Sequence, residues 1–376
     1  MAAEAPGRTV AVLGSYAPSL VLFRGPLIAE MVRRGHRVVA MAPRIGPDIA
    51  DRLAVLGAEA REVPMINNSL SPVSMARTLV ELTRLFREIR PHTVIAYTVK
   101  PVTLGALAGS RAKVPSFVAL ITGLGFAFTE GGGTRRRLSR AAATFLYRRA
   151  LKRARAIIFQ NPDDRDHFER GGILPGSVPV SVVDGSGIDL DAFSSRPLPR
   201  EPRFLMISRL LGDKGVREYG AAAALLKRRY PSAVFRLVGY FDGSPDSLAE
   251  DELDRMITGG VDFLGRMDDV RAAIESASIC VLPSYREGTP RSVLEAMAMG
   301  RPIVTTDAPG CRQTVEEGSN GFLVPPRDAE ALAAAMERFI VDPSLIAAMG
   351  ERSRELAERR FDVHSVNAAI LQAAGL

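Results

Sequence analysis

The sequence has no tryptophan, two cysteines and four histidines in 376 residues. With tryptophan absent and aromatics at 6%, it carries no sign of a base-stacking platform, which argues against nucleic acid as a partner. Cys280 and Cys311 cannot build a disulfide framework, no Cys/His cluster has zinc-site spacing, and both cysteines read as inert. The longest run free of Asp, Glu, Lys and Arg, residues 114–129, is broken by Pro and Gly and falls short of the ~20 residues that a spanning helix needs. The opening stretch, MAAEAPGRTVAVLG, lacks a signal peptide's apolar segment and enters directly into a strand. These absences predict a soluble protein of a reducing, cytoplasmic compartment.

What is present fits a globular chain. Hydrophobic residues at 47% and charged residues at 24% exclude wholesale disorder and coiled-coil designs, and the length allows two or three domains. The net charge of +7 hides an asymmetry: residues 1–196 hold 27 basic and 16 acidic side chains, residues 197–376 hold 22 and 26. A basic half joined to a mildly acidic half predicts that one half faces an anionic surface. The segment TRRRLSRAAATFLYRRALKRAR, Thr134–Arg155, has nine Arg/Lys and no acid. With apolar residues set among those charges, it reads as a helix that docks on anionic headgroups.

Short β-branched runs alternate with longer amphipathic segments. The pattern predicts strands over Thr9–Leu13, Arg37–Met41, Glu59–Val63, Thr93–Tyr97, Ser116–Leu120, Ala156–Gln160 and Val178–Val183, with helices over Gly25–Arg34 and Val73–Arg90. After a Pro- and Ser-rich connector, Asp191–Arg203, a second alternation begins. It predicts strands over Phe204–Ile207, Ala233–Val238, Val261–Leu264, Ser278–Leu282 and Pro302–Thr305, with helices Val216–Arg229, Ser247–Ile257, Asp269–Ser276 and Arg291–Met299 between them. Helices over Asp328–Val341, Ser344–Arg360 and Val363–Ala374 close the chain. The expectation is an α/β protein with two doubly wound Rossmann-like domains, 1–190 and 191–360, facing across a cleft, and a terminal helix at 361–376.

Two stretches carry the chemistry. Tyr285-Arg-Glu-Gly-Thr-Pro-Arg-Ser-Val-Leu-Glu-Ala-Met-Ala-Met-Gly300 follows a buried strand and opens a helix near Pro290, where Pro suits the first helical position. Backbone N–H groups at Gly288 and Thr289 then face an anion site. At ~100° per residue, the offset of eight between Glu287 and Glu295 puts both carboxylates on one wall. Like charges there repel a phosphate, so they suit sugar and ribose hydroxyls instead. The other stretch, Phe204-Leu-Met-Ile-Ser-Arg-Leu-Leu-Gly-Asp-Lys-Gly215, delivers Arg209 and Lys214 to a strand's carboxyl end. A planar fork and a mobile point charge suit a diphosphate without a metal. The Asp163-Asp164 and Asp268-Asp269 pairs open helices and favour the dipole, so no metal is expected.

Together Ser-Arg-Leu-x4-Gly, Val261-Asp-Phe-Leu-Gly-Arg-Met-Asp-Asp-Val270, Leu-Pro-Ser-x2-Glu-Gly-x-Pro and the Glu-x7-Glu pair resemble glycosyltransferase family 4, retaining enzymes of the GT-B fold that use nucleotide sugars. Phe23-Arg-Gly-Pro-Leu-Ile28, Tyr97-Thr-Val-Lys-Pro101, residues 121–129 and Phe159-Gln-Asn-Pro-Asp-Asp164 are similar to the bacterial polyprenol-diphosphate-sugar members. The resemblance implies that Arg209 and Lys214 bind the donor diphosphate, that Glu287 with the Gly288–Thr289–Pro290 backbone holds the donor sugar, and that Glu295 holds the ribose. It implies that backbone near Arg266 meets the nucleobase and that the Gly14–Ser15 loop sits under the phosphates and acceptor. Arg24, Lys100, Thr122 and Gly123 are the acceptor-side candidates, with Gly125 a further backbone-approach residue. It also implies a terminal helix crossing back to the first domain, a polyprenyl-diphosphate-linked acceptor, UDP as the nucleotide, and attachment at the cytoplasmic face of the inner membrane. The histidine that many relatives carry in the first domain's central loop is missing: the loop reads Thr122-Gly-Leu-Gly125, and His36, His92, His167 and His364 lie elsewhere. A nucleotide-sugar epimerase of the same architecture is the rival reading, although no carboxylate/His set for proton abstraction is evident.

Overall fold

A computed structural model describes residues 7–66, 71–124, 134–199, 201–244 and 246–376, without the side chains of 134–140. The chain divides into two compact units, Met1–Ser186 with His364–Leu376, and Gly187–Val363.

The first unit is a parallel sheet of β1 (Thr9–Leu13), β2 (Arg37–Ala42), β3 (Glu59–Glu62), β4 (Thr93–Tyr97), β5 (Ser116–Ile121), β6 (Ala156–Phe159) and β7 (Val180–Val182), in the order 3-2-1-4-5-6-7. Parallel strands need crossovers, and helices supply them on both faces. α1 (Ala17–Leu22), α2 (Gly25–Arg33) and α3 (Pro47–Val55) share one apolar cluster. α4 (Pro72–Ile89), α5 (Val99–Ala112), α6 (Thr134–Leu151) and α7 (Pro162–Arg170) share the other.

The second unit repeats the plan with β8 (Arg203–Ile207), β9 (Val234–Val238), β10 (Val261–Gly265), β11 (Ile279–Leu282), β12 (Ile303–Thr306) and β13 (Gly321–Val324), in the order 10-9-8-11-12-13. Its helices are α8 (Val216–Arg229), α9 (Glu250–Thr258), α10 (Arg271–Glu275), α11 (Arg291–Ala298), α12 (Ala329–Val341) and α13 (Ser344–Arg360). The last helix, α14 (Val363–Ala374), inserts Val366, Ile370, Leu371 and Ala374 among Val10, Val12, Leu27 and Met31, so it belongs to the first unit's core.

Every predicted strand is present. α9 begins three residues later than the pattern suggests, because the Glu252 carboxylate accepts the Ala249 N–H at 2.9 Å and caps the helix there. α1, α3, α5 and β13 were not predicted. α5 is buried over most of Pro101–Gly109, so it lacks the alternating polar face that marks a helix in sequence.

Candidate active site

Each sheet reverses its strand order once, and open α/β sheets hold ligands at the carboxyl ends of the strands flanking that reversal. In the second unit those strands are β8 and β11. β8 runs out into Ser208–Gly215, with a 3-10 turn at Gly212–Lys214; β11 runs out into Pro283–Pro290. The loops are locked together by backbone. Tyr285 N–H donates to Asp213 O at 2.8 Å, and a Cβ at Gly215 (φ +70°) would lie 2.1 Å from Pro283 O. On the other side Glu287 N–H donates to Pro309 O at 2.9 Å, and a Cβ at Gly310 (φ +81°) would lie 2.2 Å from Glu287 O. The Glu287 loop is therefore fixed from both flanks.

That lock brings Lys214 and Glu287 into contact. Lys214 Nζ donates to Glu287 Oε1 at 2.7 Å, and the fully buried Ser284 donates its hydroxyl to the same oxygen at 2.7 Å. Burial opposes the Lys214 charge, but the Glu287 and Asp213 carboxylates hold its pKa above the ordinary value. Asp213 is pushed up by burial and by Glu287 and Asp246, against the pull of Lys214 and Arg209. Arg209 is more open, with 45% of its side chain exposed, and donates to Asp242 Oδ2 at 2.6 Å. It makes no direct bond to Lys214, yet its charge acts on both Lys214 and Asp213. The two cations predicted as a clamp thus flank one loop, each already facing a carboxylate.

The remaining second-unit candidates lie just past β10, in the Glu287 loop and in α11. Arg266, just past β10, lies over the Tyr240 ring at 5.2 Å from its centroid, making a flat cation–aromatic platform beside the Arg209 loop. Thr289 Oγ1 donates to Gly288 O at 2.8 Å. Pro290 is the N-cap residue of α11, with ψ 111°, and not its first helical residue. Because the helix begins only at Arg291, the eight-residue offset from Glu287 to Glu295 is not a helical one. The 100° arithmetic does not apply, and the loop sets where Glu287 lies.

Glu295 is 9% exposed and accepts from Arg291 Nε at 2.8 Å. Burial raises its pKa, against the pull of Arg291. Folding therefore favours its protonated form. Its ionised form costs stability as pH rises from the ordinary carboxylate value, about 4.3, through the raised folded value. Glu295→Gln cannot ionise, so its melting temperature should gain on wild type as pH rises above the ordinary carboxylate value. A pH-independent difference in melting temperature would contradict this placement.

In the first unit the order reverses between β1 and β4. Gly14 closes on Tyr97 so tightly that a Cβ would lie 2.3 Å from its hydroxyl oxygen, and Ser15 Oγ accepts from Thr98 Oγ1 at 2.8 Å. Arg24 is the residue before α2, as expected, but it is only 3% exposed and stacks over Tyr97 at 5.1 Å. It is a buried cation, not a surface charge. Lys100 lies inside the first turn of α5, and its ammonium donates to Ile66 O. Thr122 and Gly123 follow β5, the neighbour of β4; Gly125 lies outside the described residues. Gly14, Ser15, Arg24 and Lys100 are thus gathered around the single segment Tyr97–Lys100. His36 and His92 precede β2 and β4, at the opposite strand ends. Cys280 and Cys311 are buried, with pKa values pushed up to about 12, which keeps both as thiols.

Sequence reasoning passed over Ser284, Asp213, Asp242 and Tyr240. Ser284 had a signal, since it stands three residues before Glu287 inside the motif. The others are named only by contacts across the fold.

Comparison with known proteins decides the family. The model described as glycosyl transferases group 1 matches residues 201–342, and the glycosyl transferase 4-like domain matches residues 25–183. The chain is a family 4 glycosyltransferase of the GT-B fold. The enzyme is 28% identical over 350 residues to the N,N'-diacetylbacillosaminyl-diphospho-undecaprenol alpha-1,3-N-acetylgalactosaminyltransferase of Campylobacter jejuni, covering 89% of this chain and 90% of that one. It is 29% identical to the alpha-D-kanosaminyltransferase of Streptomyces kanamyceticus over 64% of each chain. Among solved structures, Anabaena HepE in complex with UDP-glucose superposes with a TM-score of 0.80 at 20% identity, covering 98% of this chain and 99% of that one. The sucrose-phosphate synthase of Thermosynechococcus elongatus gives 0.78 at 17% identity, covering 97% and 98%. These matches lend the epimerase reading no support.

Proposed function

We propose that this glycosyltransferase moves a hexose or N-acetylhexosamine from a nucleotide sugar, UDP-linked, to a polyprenyl-diphosphate-linked sugar in bacterial glycan or glycoprotein assembly. The observation that carries the donor half is the Lys214–Glu287–Ser284 contact at the second sheet's reversal point. Glu287 Oε1 is occupied by Lys214 and Ser284, so its second carboxylate oxygen serves the sugar hydroxyls. Two Lys214 protons remain for the diphosphate, and Arg209 closes on the other side after leaving Asp242. Glu295 takes the ribose, while Arg266 and Tyr240 border the base. Gly288, Thr289 and Pro290 supply backbone beside the sugar.

As the bond from sugar C1 to the phosphate oxygen breaks, negative charge grows on that oxygen beside Lys214 and Arg209, where fixed cations are most effective. The acceptor hydroxyl attacks C1 from the same face and gives its proton to the departing phosphate oxygen. The product keeps the donor's anomeric configuration, with no histidine in the step. Two protein cations stand where a metal would otherwise neutralise the leaving group, so transfer needs none.

The Campylobacter relative's name supports the acceptor class, and Arg24, Lys100, Thr122 and Gly123 serve that side. No described helix is long and apolar enough to cross a membrane. A lipid-linked acceptor therefore calls for peripheral attachment at the cytoplasmic face, through the basic segment 134–155.

The test is a panel of nucleotide sugars against polyprenyl-diphosphate sugars in the presence of EDTA, with the product's anomeric configuration read by NMR. Retained configuration and EDTA-resistant turnover are expected. An inverted product, or transfer restored only by a divalent cation, would overturn the mechanism.

A further inference from the structure

Much of the first unit's positive charge lies at the amino ends of its strands. The helices run back toward those ends, so last-turn cations such as Arg33, Arg52, Arg87 and Arg111 are favoured by the dipole. On one flank carboxylates answer the charge: Glu30 pairs with Arg33 and Arg34, and Glu59 with Arg37. In front of β5 and β6 they do not. Arg111, Lys113, Lys152, Arg153 and Arg155 are all exposed there, and among the described residues none is in an ion pair. Their field reaches inward, since His92 has its pKa lowered by burial and then by Arg8 and Arg155.

Between the last turn of α5 and the connection from α6 to β6 is a cleft of about 310 Å³. Ala106, Gly109, Val114 and Phe117 form its apolar floor, and Ser110, Lys113 and Arg153 its polar rim, with no carboxylate in the lining. Arg153 Nη1 donates to Arg149 O at 2.7 Å, which steadies the guanidinium against α6. α6 itself turns Ala143, Tyr147, Ala150 and Leu151 to the core. Outward it shows Phe145, 62% exposed, with the Arg149 guanidinium 6.0 Å from the ring centroid, and then Lys152. An exposed aromatic among cations on one helix face is what an interfacial helix presents to a bilayer.

We propose that this cleft is a headgroup site for an anionic phospholipid of the membrane. Lys113, Arg153 and Ser110 take the phosphate, the apolar floor takes the first carbons of the lipid, and Phe145 enters the interface beside it. A free phosphate would have no use for the floor. A nucleic acid base would need a stacking face inside the cleft, and the ring in its lining, Phe117, is only 5% exposed. The inference rests on the membrane-attached acceptor reading, and it adds a defined lipid contact to a general basic surface.

The test compares wild type with the double variant Lys113→Asn/Arg153→Gln. Lys113 has φ +57°, a conformation that asparagine tolerates, so folding is preserved. Vesicles of phosphatidylcholine, with and without phosphatidylglycerol, are used at low and high salt. Calorimetry with dihexanoylphosphatidylglycerol and with inorganic phosphate separates lipid from free anion. The variant should lose about thirtyfold in partitioning to anionic vesicles, the factor that two basic side chains supply at about 1 kcal/mol each. Wild type alone should bind the short-chain lipid, and turnover on a water-soluble diphosphate acceptor should be unchanged. Equal partitioning of both proteins, or binding of inorganic phosphate as tight as that of the lipid, would overturn the proposal. Normal vesicle binding without transfer to any polyprenyl acceptor would sink the acceptor reading alone; normal transfer with equal partitioning would sink this one alone.

Discussion

Lys214→Ala is expected to lower turnover about a hundredfold while the second unit stays folded. The ammonium is largely buried against Glu287 and Asp213, so it is held in place before the donor arrives. A charge-assisted hydrogen bond is worth about 1.5–3 kcal/mol, and one that strengthens as the leaving diphosphate gains charge acts fully on the rate. The substitution also leaves the Glu287 and Asp213 carboxylates facing each other without their shared cation, which moves Glu287 off the sugar. Arg209→Ala should cost less, because its side chain is nearly half exposed and pairs with Asp242. Steady-state kinetics at saturating donor, with melting curves to exclude unfolding, make the comparison. If both variants turn over normally, the diphosphate lies elsewhere.

Glu287→Gln should damage transfer by a similar factor yet leave nucleotide affinity nearly intact. The amide keeps the shape and keeps an oxygen for Ser284 and Lys214, but it loses the negative charge that strengthens the bonds from the sugar hydroxyls. Losing one hydrogen bond to a charged group, at about 1.5–3 kcal/mol, corresponds to roughly 10- to 150-fold in kcat/KM for the nucleotide sugar. Calorimetry with the nucleoside diphosphate alone should show little change for Glu287→Gln and a clear loss for Glu295→Gln. Equal losses would mean that the two carboxylates do not divide sugar from ribose.

The fold and the two loops were legible because both depend on local chemistry. Buried parallel strands read as short apolar runs, and the loops between Ile207 and Val216 and between Leu282 and Arg291 carry the Gly, Pro and charge that end them. What could not be read depends on contacts between distant residues. The Lys214–Glu287 bond joins positions 73 apart, and only the fixed strand order brings them together. The burial of Arg24 is not legible, because nothing near it in sequence announces the Tyr97 ring that it covers. The α11 start at Arg291 turned on Pro290 taking an extended ψ, which a preference for Pro in the first turn does not foresee. α5 has little sequence signature because Pro101, Gly105 and Gly109 weaken a helical signal in a segment buried nearly all round.

Hydrogen–deuterium exchange with and without saturating UDP tests the donor site most directly, since it needs neither acceptor nor turnover. Protection should fall on segments 208–215, 239–242 and 284–295 of the second unit, and Lys214→Ala should reduce it at the same nucleotide concentration. Protection confined to the first unit, or none at any UDP concentration, would contradict a donor site built on Lys214 and Glu287.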